Sequence, residues 1–172
     1  GTQTVTVEVG SQTSNGSDYD VRPVISSLSS ANATVGSTLT ITGTGFSPTD
    51  AQNTVNFGST SAAITSASAT ELVVTVPAGI AGSQPVTVEV GNQTSANANF
   101  NVIPVLNTLG VAAATPDTVL TLTGSGFSQT LADNTIHFGG VTVNPTSVNA
   151  GGTSMDVTVP NVFGSMNLSV EV

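Results

Sequence analysis

A repeat with a period of about 81 residues constrains this sequence more than any other feature. The run Thr40–Ser47 (TITGTGFS) returns 81 positions later as Thr121–Ser128 (TLTGSGFS). The run Asn53–Gly58 returns as Asn134–Gly139 at the same spacing. Because self-similarity at a fixed period marks one structural unit that is used several times, we expect an array of like domains.

The phase of the repeat sets the predicted domain boundaries. Residues 1–21 match residues 82–102, so they correspond to the C-terminal strands of a preceding repeat. Residues 22–102 form one complete repeat. Residues 103–172 form another, which stops before its last strand. The chain is therefore predicted to hold one whole repeat between two partial ones.

Within each repeat the apolar residues alternate with polar ones. Val5, Val7 and Val9 are separated by Thr and Glu, which is typical of a half-buried antiparallel strand. Turn signals such as Gly91-Asn92 separate the apolar runs. About seven short strands per repeat, with no helical stretch, are typical of an immunoglobulin-like fold. We therefore predict an all-β chain of tandem immunoglobulin-like β-sandwiches.

The junctions between repeats are short. Arg22-Pro23 and Ile103-Pro104 are all that separates the last strand of one repeat from the first strand of the next. A flexible linker would need more residues and a composition rich in glycine or serine. Successive sandwiches are therefore expected to form a fairly stiff linear rod.

Charge excludes several classes of partner. Charged residues make up 6% of the chain, the net charge is −9, and Arg22 is the single basic residue apart from one histidine. A protein that grips phosphates needs a basic stripe, so we expect no binding to nucleic acid or to anionic membrane surfaces. No apolar run approaches the roughly 20 residues of a membrane helix, so no membrane insertion is predicted.

The remaining composition points to a location. The chain has no cysteine, which excludes disulfides, thiolate metal sites and cysteine nucleophiles. Its polar surface is rich in Ser, Thr and Asn, and its one trypsin-type residue is followed by proline in a bond that resists cleavage. We therefore expect an extracellular or cell-surface protein.

Catalytic and metal sites are not predicted. The only histidine, His137, occupies an outward-facing position where the other repeat has Asn56, so no enzyme activity and no cofactor are expected. Asp18 and Asp20 flank Tyr19 on one strand face and could contribute to a calcium site at a domain junction. A solvated strand face is the preferred interpretation of this pair, and no metal is predicted.

Several motifs carry a resemblance to a known family. They are the opening Pro23-Val24-Ile25, the Gly-x-Gly-Phe corner that ends at Phe46, the Asn-x-Val-x-Phe-Gly strand, the Val-Pro pair, and the terminal Val-Thr-Val-Glu-Val. This set resembles the IPT/TIG family of immunoglobulin-like domains, which plexins and certain transcription factors share. The second copy keeps nearly all of the motifs, with Asp117 in place of glycine.

The resemblance implies tandem IPT/TIG β-sandwiches in a bacterial-type extracellular repeat protein. Family members serve as receptor modules, as spacers in carbohydrate-active enzymes, as bacterial surface arrays and as dimerisation domains of transcription factors. The acidic charge of this chain argues against the last of these roles.

The leading functional hypothesis is a structural extracellular repeat protein that forms a stalk, a surface fibre or a filament. Residues 12–21 of one chain could donate a strand to the incomplete last repeat of a neighbouring chain. The competing interpretation is a window on a longer array, in which the missing strand follows Val172 covalently. The expected partners are thus copies of the chain or adjacent repeats of the same chain.

Six residues form the predicted interface. Tyr19 and Val21 lie in the donor segment, and Phe163 replaces Ala81 in a loop at a domain end. The other three lie on the last strand, whose outer edge is left uncovered: Leu168, Val170 and Val172.

Two alternative functions belong to other classes. One is a carbohydrate-binding or spacer module of a secreted glycan-active enzyme, in which Phe163 or Tyr19 would contact a glycan. The other is an adhesin or virion surface domain that binds a protein receptor through an apolar patch at a repeat end.

Overall fold

The computed structural model describes residues 2–172, which fold into twenty-one β-strands and two 3-10 helices. The all-β prediction is confirmed. The first four strands lie within residues 2–20: β1 (Thr2–Val5), β2 (Glu8–Val9), β3 (Gln12–Thr13) and β4 (Ser17–Asp20). β1 pairs antiparallel with β4, and β2 forms a hairpin with β3.

Residues 22–102 contribute ten strands in two sheets. One sheet has the order β10-β11-β7-β5, and the other has the order β6-β14-β12-β8-β9 with β13 paired to β12. A 3-10 helix, Asp50–Gln52, precedes β8. The strands are β5 (Val24–Leu28), β6 (Asn32–Ala33), β7 (Thr38–Thr44), β8 (Asn53–Phe57), β9 (Thr60–Ala62), β10 (Ile64–Ala67), β11 (Glu71–Thr75), β12 (Gly82–Val90), β13 (Gln93–Thr94) and β14 (Ala98–Val102).

Residues 103–172 contribute seven strands, again in two sheets. Their orders are β15-β16-β20-β19 and β18-β17-β21. The second 3-10 helix is Leu131–Asp133. The strands are β15 (Val105–Leu109), β16 (Val119–Ser125), β17 (Thr135–Phe138), β18 (Val141–Val143), β19 (Ser147–Val148), β20 (Ser154–Thr158) and β21 (Leu168–Glu171).

The predicted alternation places the apolar side chains in the core. Leu39 and Ile41 on β7 are completely buried, and the threonines beside them face outward or are half-buried. The core of residues 103–172 is built in the same way around Leu122, Ile136 and Val157. Each such aliphatic side chain contributes about 1.5–3 kcal/mol when it is fully buried.

A buried asparagine explains part of the repeated motif. The side chain of Asn134 has no exposed surface, and its Oδ1 accepts a hydrogen bond of 2.8 Å from the Ser128 amide. Its Nδ2 donates to the carbonyl oxygens of Ser128 and Thr130 at 2.8 and 3.0 Å. Asn53 makes the same three bonds in the other repeat. This asparagine therefore satisfies the loop backbone that follows the Gly-x-Gly-Phe corner.

The chain divides into two compact units whose limits differ from those of the sequence repeats. The first comprises residues up to Ser29, Leu39–Val74 and Pro85–Ala98. The second comprises Ser30–Thr38, Thr75–Gln84 and Asn99–Val172. The second unit thus combines the repeat at 103–172 with three segments of the repeat before it.

Candidate functional site

β14 lies between β12 and β6 in one sheet of the complete repeat, and it supplies two core side chains. Phe100 is completely buried and Val102 is nearly so. β14 follows β12 in the sheet order and pairs parallel with β6, with Asn101 opposite Asn32 and Val102 opposite Ala33. The Asn101 amide donates to the Ala31 carbonyl, and the Ile103 amide donates to the Ala33 carbonyl, both at 2.9 Å.

The corresponding sheet of residues 103–172 ends at β21. β21 pairs antiparallel with β17, with Ile136 opposite Val170 and Phe138 opposite Leu168. Among the described residues no strand pairs with the other edge of β21. An unpaired edge offers backbone donors and acceptors to an added strand. The edge of β21 is therefore a candidate site for strand addition.

An open groove lies beside this edge. Its volume is about 550 Å³, and its lining includes Ala113 and Ala114 as well as Leu168 on β21. Ala113 and Ala114 are the repeat counterparts of β6, and Leu168 is the counterpart of Val86 on β12. The groove is therefore lined by the counterparts of the two strands between which β14 lies in the other repeat.

The lining of the groove is more exposed than its counterparts in the complete repeat. Leu168 and Val170 are half-buried, whereas their counterparts Val86 and Val88 are completely buried. Phe138, which also lines the groove, is slightly exposed, whereas its counterpart Phe57 is completely buried. The side chains that β14 helps to cover in one repeat thus keep some solvent contact in the other.

The six predicted interface residues occupy four places. Leu168 and Phe163 line the groove, and Phe163 is 82% exposed. Val170 packs against the core, and Val172 is half-buried near Gly82. The remaining two belong to the first segment: Tyr19 lies on β4 with 66% of its surface exposed, and Val21 follows β4 with 42% exposed.

The first segment exposes the face that is buried in the complete repeat. Val5 and Val7 are 55% and 63% exposed, whereas their counterparts Val86 and Val88 are completely buried. Tyr19 likewise corresponds to the buried Phe100. This segment therefore exposes apolar side chains whose counterparts in the complete repeat contribute to a core.

The wall of the groove formed by residues 111–114 was missed by the sequence analysis. This segment lies outside the strands, so the alternation that identifies core residues does not extend to it. A signal was nevertheless present, because Ser30-Ala31-Asn32-Ala33 becomes Val-Ala-Ala-Ala in the second repeat. The change removes both polar side chains from the segment.

His137 and the acidic residues do not assemble into a metal site. The His137 Nε2 atom lies 3.3 Å from Glu171 Oε2 on an exposed sheet face. Asp18 accepts a hydrogen bond of 2.7 Å from the Thr4 hydroxyl across the β1–β4 pair. Within residues 2–172, no three His, Cys, Asp or Glu side chains come close enough together to hold a metal ion.

Two hydroxyl groups donate hydrogen bonds to the carboxylate of Asp156 on β20. The hydroxyl of Thr121 donates to Oδ1 at 2.7 Å, and the hydroxyl of Ser147 donates to Oδ2 at 2.8 Å. These bonds hold the pKa of the Asp156 carboxyl below its ordinary value, and partial burial opposes them weakly. A lowered pKa stabilises the fold at pH values above the ordinary carboxyl range, and the contribution is lost as the pH falls through the lowered pKa.

We expect Asp156→Asn to destabilise the protein at pH 7, by less than about 1 kcal/mol because solvent screens a half-exposed carboxylate. The difference from wild type should shrink as the pH falls below about 4, where the unfolded chain takes up the proton. Thermal unfolding across this pH range, with Glu8→Gln on the exposed β2 as the control, measures the effect. A difference that is independent of pH would contradict the assignment.

The strand order and the buried alternation define the class of protein: an immunoglobulin-like β-sandwich protein. Residues 23–102 match the family model of the IPT/TIG domain. The complete repeat is thus similar to the IPT/TIG domain over those residues.

Three solved structures are similar to this chain at low sequence identity, and the first of them shares its fold. The surface glycan-binding protein PbSGBP-B from Prevotella bryantii is 17% identical, covers 88% of this chain and 40% of its own, and gives a TM-score of 0.54. The gamma-CGTase from Alkalophilic bacillus clarkii is 17% identical, with coverages of 88% and 24% and a TM-score of 0.45. SGBP-B from a complex xyloglucan utilization locus in Bacteroides uniformis is 17% identical, with coverages of 87% and 46% and a TM-score of 0.38.

The chain spans less than half the length of each of these three structures. A search of curated proteins finds no match to the sequence. Within residues 2–172, no helix has the length and the apolar character needed to cross a membrane.

Proposed function

We propose that this chain is a non-catalytic, structural part of an extracellular or cell-surface protein, in which tandem IPT/TIG sandwiches build a stalk, a fibre or a filament. The packed junction between repeats is the observation that carries this proposal. A role as a mechanical support or as a spacer requires that one sandwich follow the next without a flexible linker.

The junction at Ile103-Pro104 contacts the repeat before it and the repeat after it. β14 ends at Val102 and β15 begins at Val105, so two residues separate the strands. The Ile103 amide donates to the Ala33 carbonyl. Gly126 has a φ of 73°, and a Cβ built on it would come within 3.2 Å of the Pro104 Cα. The glycine thus allows the second repeat's corner to approach the junction closely.

The junction at Arg22-Pro23 has the same construction. Gly45 has a φ of 76°, and a Cβ at this position would lie 3.2 Å from the Pro23 Cα and 3.3 Å from the Arg22 carbonyl oxygen. The second glycine of the Gly-x-Gly-Phe corner therefore has one role at both junctions. This recurrence supports a repeating architecture whose links have little freedom.

The surface chemistry supports the same role. With a net charge of −9 and one arginine, the chain is poorly suited to nucleic acid and to anionic membranes. The one histidine lies on an exposed sheet face beside Glu171, outside the groove. Assembly by donation of residues 12–21 to the last repeat of a neighbouring chain is part of this proposal.

Distances between spin labels test the structural role. The chain has no cysteine, so Ser61→Cys and Thr142→Cys place two labels at exposed, equivalent positions of the repeats. We expect a narrow distance distribution. Inserting Gly-Ser-Gly-Ser between Ile103 and Pro104 should broaden it, because the insertion provides a flexible linker.

The matched control places the same insertion in the turn at Gly140, where the surroundings of the glycine are open. This control should leave the distribution narrow. A wild-type distribution already as broad as that of the junction insertion would reject a stiff structural role.

A second candidate function is glycan binding, as a carbohydrate-binding or spacer module. Two observations favour it: the fold shared with a surface glycan-binding protein at a TM-score of 0.54, and the exposed Phe163 beside the groove. An exposed aromatic ring can stack on a sugar ring.

Affinity gel electrophoresis of the full chain against a panel of soluble polysaccharides separates the two functions. The structural role predicts unchanged mobility in every gel. Retardation by a polysaccharide that disappears in Phe163→Ala would favour glycan binding. Phe127→Tyr is unsuitable as a control, because Phe127 belongs to the core. Val119→Ala, at an exposed apolar position outside the groove, is the suitable control.

A further inference from the structure

We propose that β6 and residues 101–103 form a mechanical clamp, a strand pair that holds the repeat at 22–102 together when the chain is pulled from both ends. This inference deepens the proposed structural role and rests on it, since a stalk or a fibre carries tension along its chain. All of the clamp residues lie within the complete repeat or at its junction with the next one.

The clamp is built on the parallel pairing of β6 with β14, whose register places Asn101 opposite Asn32. The amides of Asn101 and Ile103 donate to carbonyl groups of the β6 segment, both at 2.9 Å. Ile103 is also the residue that joins this repeat to Pro104. Tension from the next repeat therefore acts directly on the last of these hydrogen bonds.

The parallel direction of the two strands decides how tension acts on these bonds. Tension from the preceding repeat reaches β6 at its N-terminal end, whereas tension from the following repeat reaches β14 at its C-terminal end. In a parallel pair these two points lie at opposite ends of the ladder. The strands are therefore pulled past one another, and the hydrogen bonds share the force. Tension across the ladder would instead open the bonds one after another.

Core packing opposes the sliding of β14. Phe100 is completely buried and Val102 is nearly so, and moving β14 along its axis would withdraw both side chains from the core. β14 is also held between β12 and β6 in the sheet. Because protein cores are close-packed, the strand cannot slide without losing these contacts together with its main-chain bonds.

The segment that follows β6 is anchored to the residue after β11. The Gly36 amide donates to the Val76 carbonyl, and the Val76 amide donates to the Ser37 carbonyl, both at 2.9 Å. The hydroxyl groups of Thr34 and Ser37 lie 2.8 Å apart, within hydrogen-bond distance. β6 is thus fixed beyond its C-terminal end, and drawing it out towards the preceding repeat would break this second set of bonds.

β5 lies before the clamp on the path of the tension and is held less firmly. None of its side chains is buried, and its pairing with β7 is interrupted by a register shift between Ile25 and Ser27. We therefore expect β5 to detach at a lower force, which leaves the clamp as the main barrier. Forced unfolding is governed by the rate at which such a barrier is crossed.

Pulling the full chain in two directions with optical tweezers tests the clamp. The chain has no cysteine, so DNA handles can be attached at introduced ones. Arg22→Cys with Ile103→Cys, both at exposed positions, loads the two strands along their length. Ala31→Cys with Asn97→Cys, also at exposed positions, pulls the N-terminal ends of both strands apart. We expect the first pair of handles to require an unfolding force at least about twofold higher than the second.

A proline variant tests the hydrogen bonds themselves. Asn101→Pro removes the amide that donates to the Ala31 carbonyl. Asn99→Pro is the matched control, because Asn99 lies on the same face of β14 but outside the residues paired with β6. Asn101→Pro should remove most of the difference between the two directions, whereas Asn99→Pro should preserve it. A general loss of stability is recognised because it lowers both forces.

Equal unfolding forces in the two directions would overturn the proposal, and this comparison requires no proline variant to fold. A difference that persists in Asn101→Pro would overturn it as well, because the resistance would then lie in other strands. The spin-label distances report the freedom of the junction and not the strength of the repeat. Equal forces combined with a narrow distance distribution would therefore reject the clamp and leave the stiff structural role in place.

Discussion

Replacing Phe100 with alanine is expected to lower the free energy of unfolding of the repeat at 22–102 by about 3–5 kcal/mol. Phe100 is completely buried on β14, so its removal forfeits the transfer free energy of the ring and leaves a cavity in the core. Urea denaturation followed by circular dichroism measures the loss. Hydrogen exchange with mass-spectrometric detection should localise faster exchange to β7, β8, β12 and β14.

Tyr19→Ala is the matched control, because Tyr19 occupies the same position of the repeat as Phe100 but is 66% exposed. We expect a change within about 0.5 kcal/mol for the monomer, as for other surface substitutions. Equal losses for the two variants would show that position in the repeat, and not burial, determines the cost. A loss of unfolding free energy below about 1 kcal/mol for Phe100→Ala would show that the β14 side chain is not an essential part of the core.

The comparison of these two aromatics also shows what the sequence could predict. The period of two places Val86, Val88 and Phe100 on the inner faces of their strands, and all three are completely buried. The same pattern places Tyr19 on an inner face, yet this side chain is exposed. Alternation identifies the face of a strand, whereas burial also requires the opposing sheet.

Turn chemistry was predictable for a local reason. The Gly91-Asn92 pair has φ values of 56° and 63°, and it connects β12 to β13 as expected of a two-residue hairpin. Asp117 stands where the first repeat has Gly36, and it keeps a positive φ of 66°. Such a backbone conformation costs little for Gly, Asn or Asp, so it leaves a signature in the sequence itself.

The groove could be predicted only in part. The unpaired edge of β21 could be predicted from the repeat. β21 is the counterpart of β12, which is followed along the chain by β13 and β14, whereas β21 is the last strand of the described residues. The wall of the groove at residues 111–114 could not, because these residues lie in an irregular segment. Their contact with the groove depends on the path of the chain between β15 and β16, on which hydrophobic periodicity has no bearing.

Gly124 shows the same limit within a repeated motif. The sequence predicts a bend or a positive φ at both glycines of the Gly-x-Gly-Phe corner. A positive φ occurs at the second glycine of each pair, Gly45 and Gly126. The first glycine is required for lack of space. A Cβ at Gly124 would meet the Val105 carbonyl oxygen on β15 and would lie 2.5 Å from Phe127 Cζ.

Gly124→Ala is therefore expected to lower the free energy of unfolding of residues 103–172 by about 3 kcal/mol or more, because the added methyl group collides with backbone as well as with a buried ring. Gly140→Ala adds the same methyl group where nothing lies within 4 Å, so it should change stability by no more than about 0.5 kcal/mol. Gly43→Ala should reproduce the large loss in the first repeat, where the Cβ would meet the Val24 carbonyl oxygen and the Phe46 ring. Differential scanning calorimetry of the three variants measures these effects. A Gly124→Ala protein that melts with wild type would show that the corner can move away from Val105, and the close approach would then not be the reason for glycine at this position.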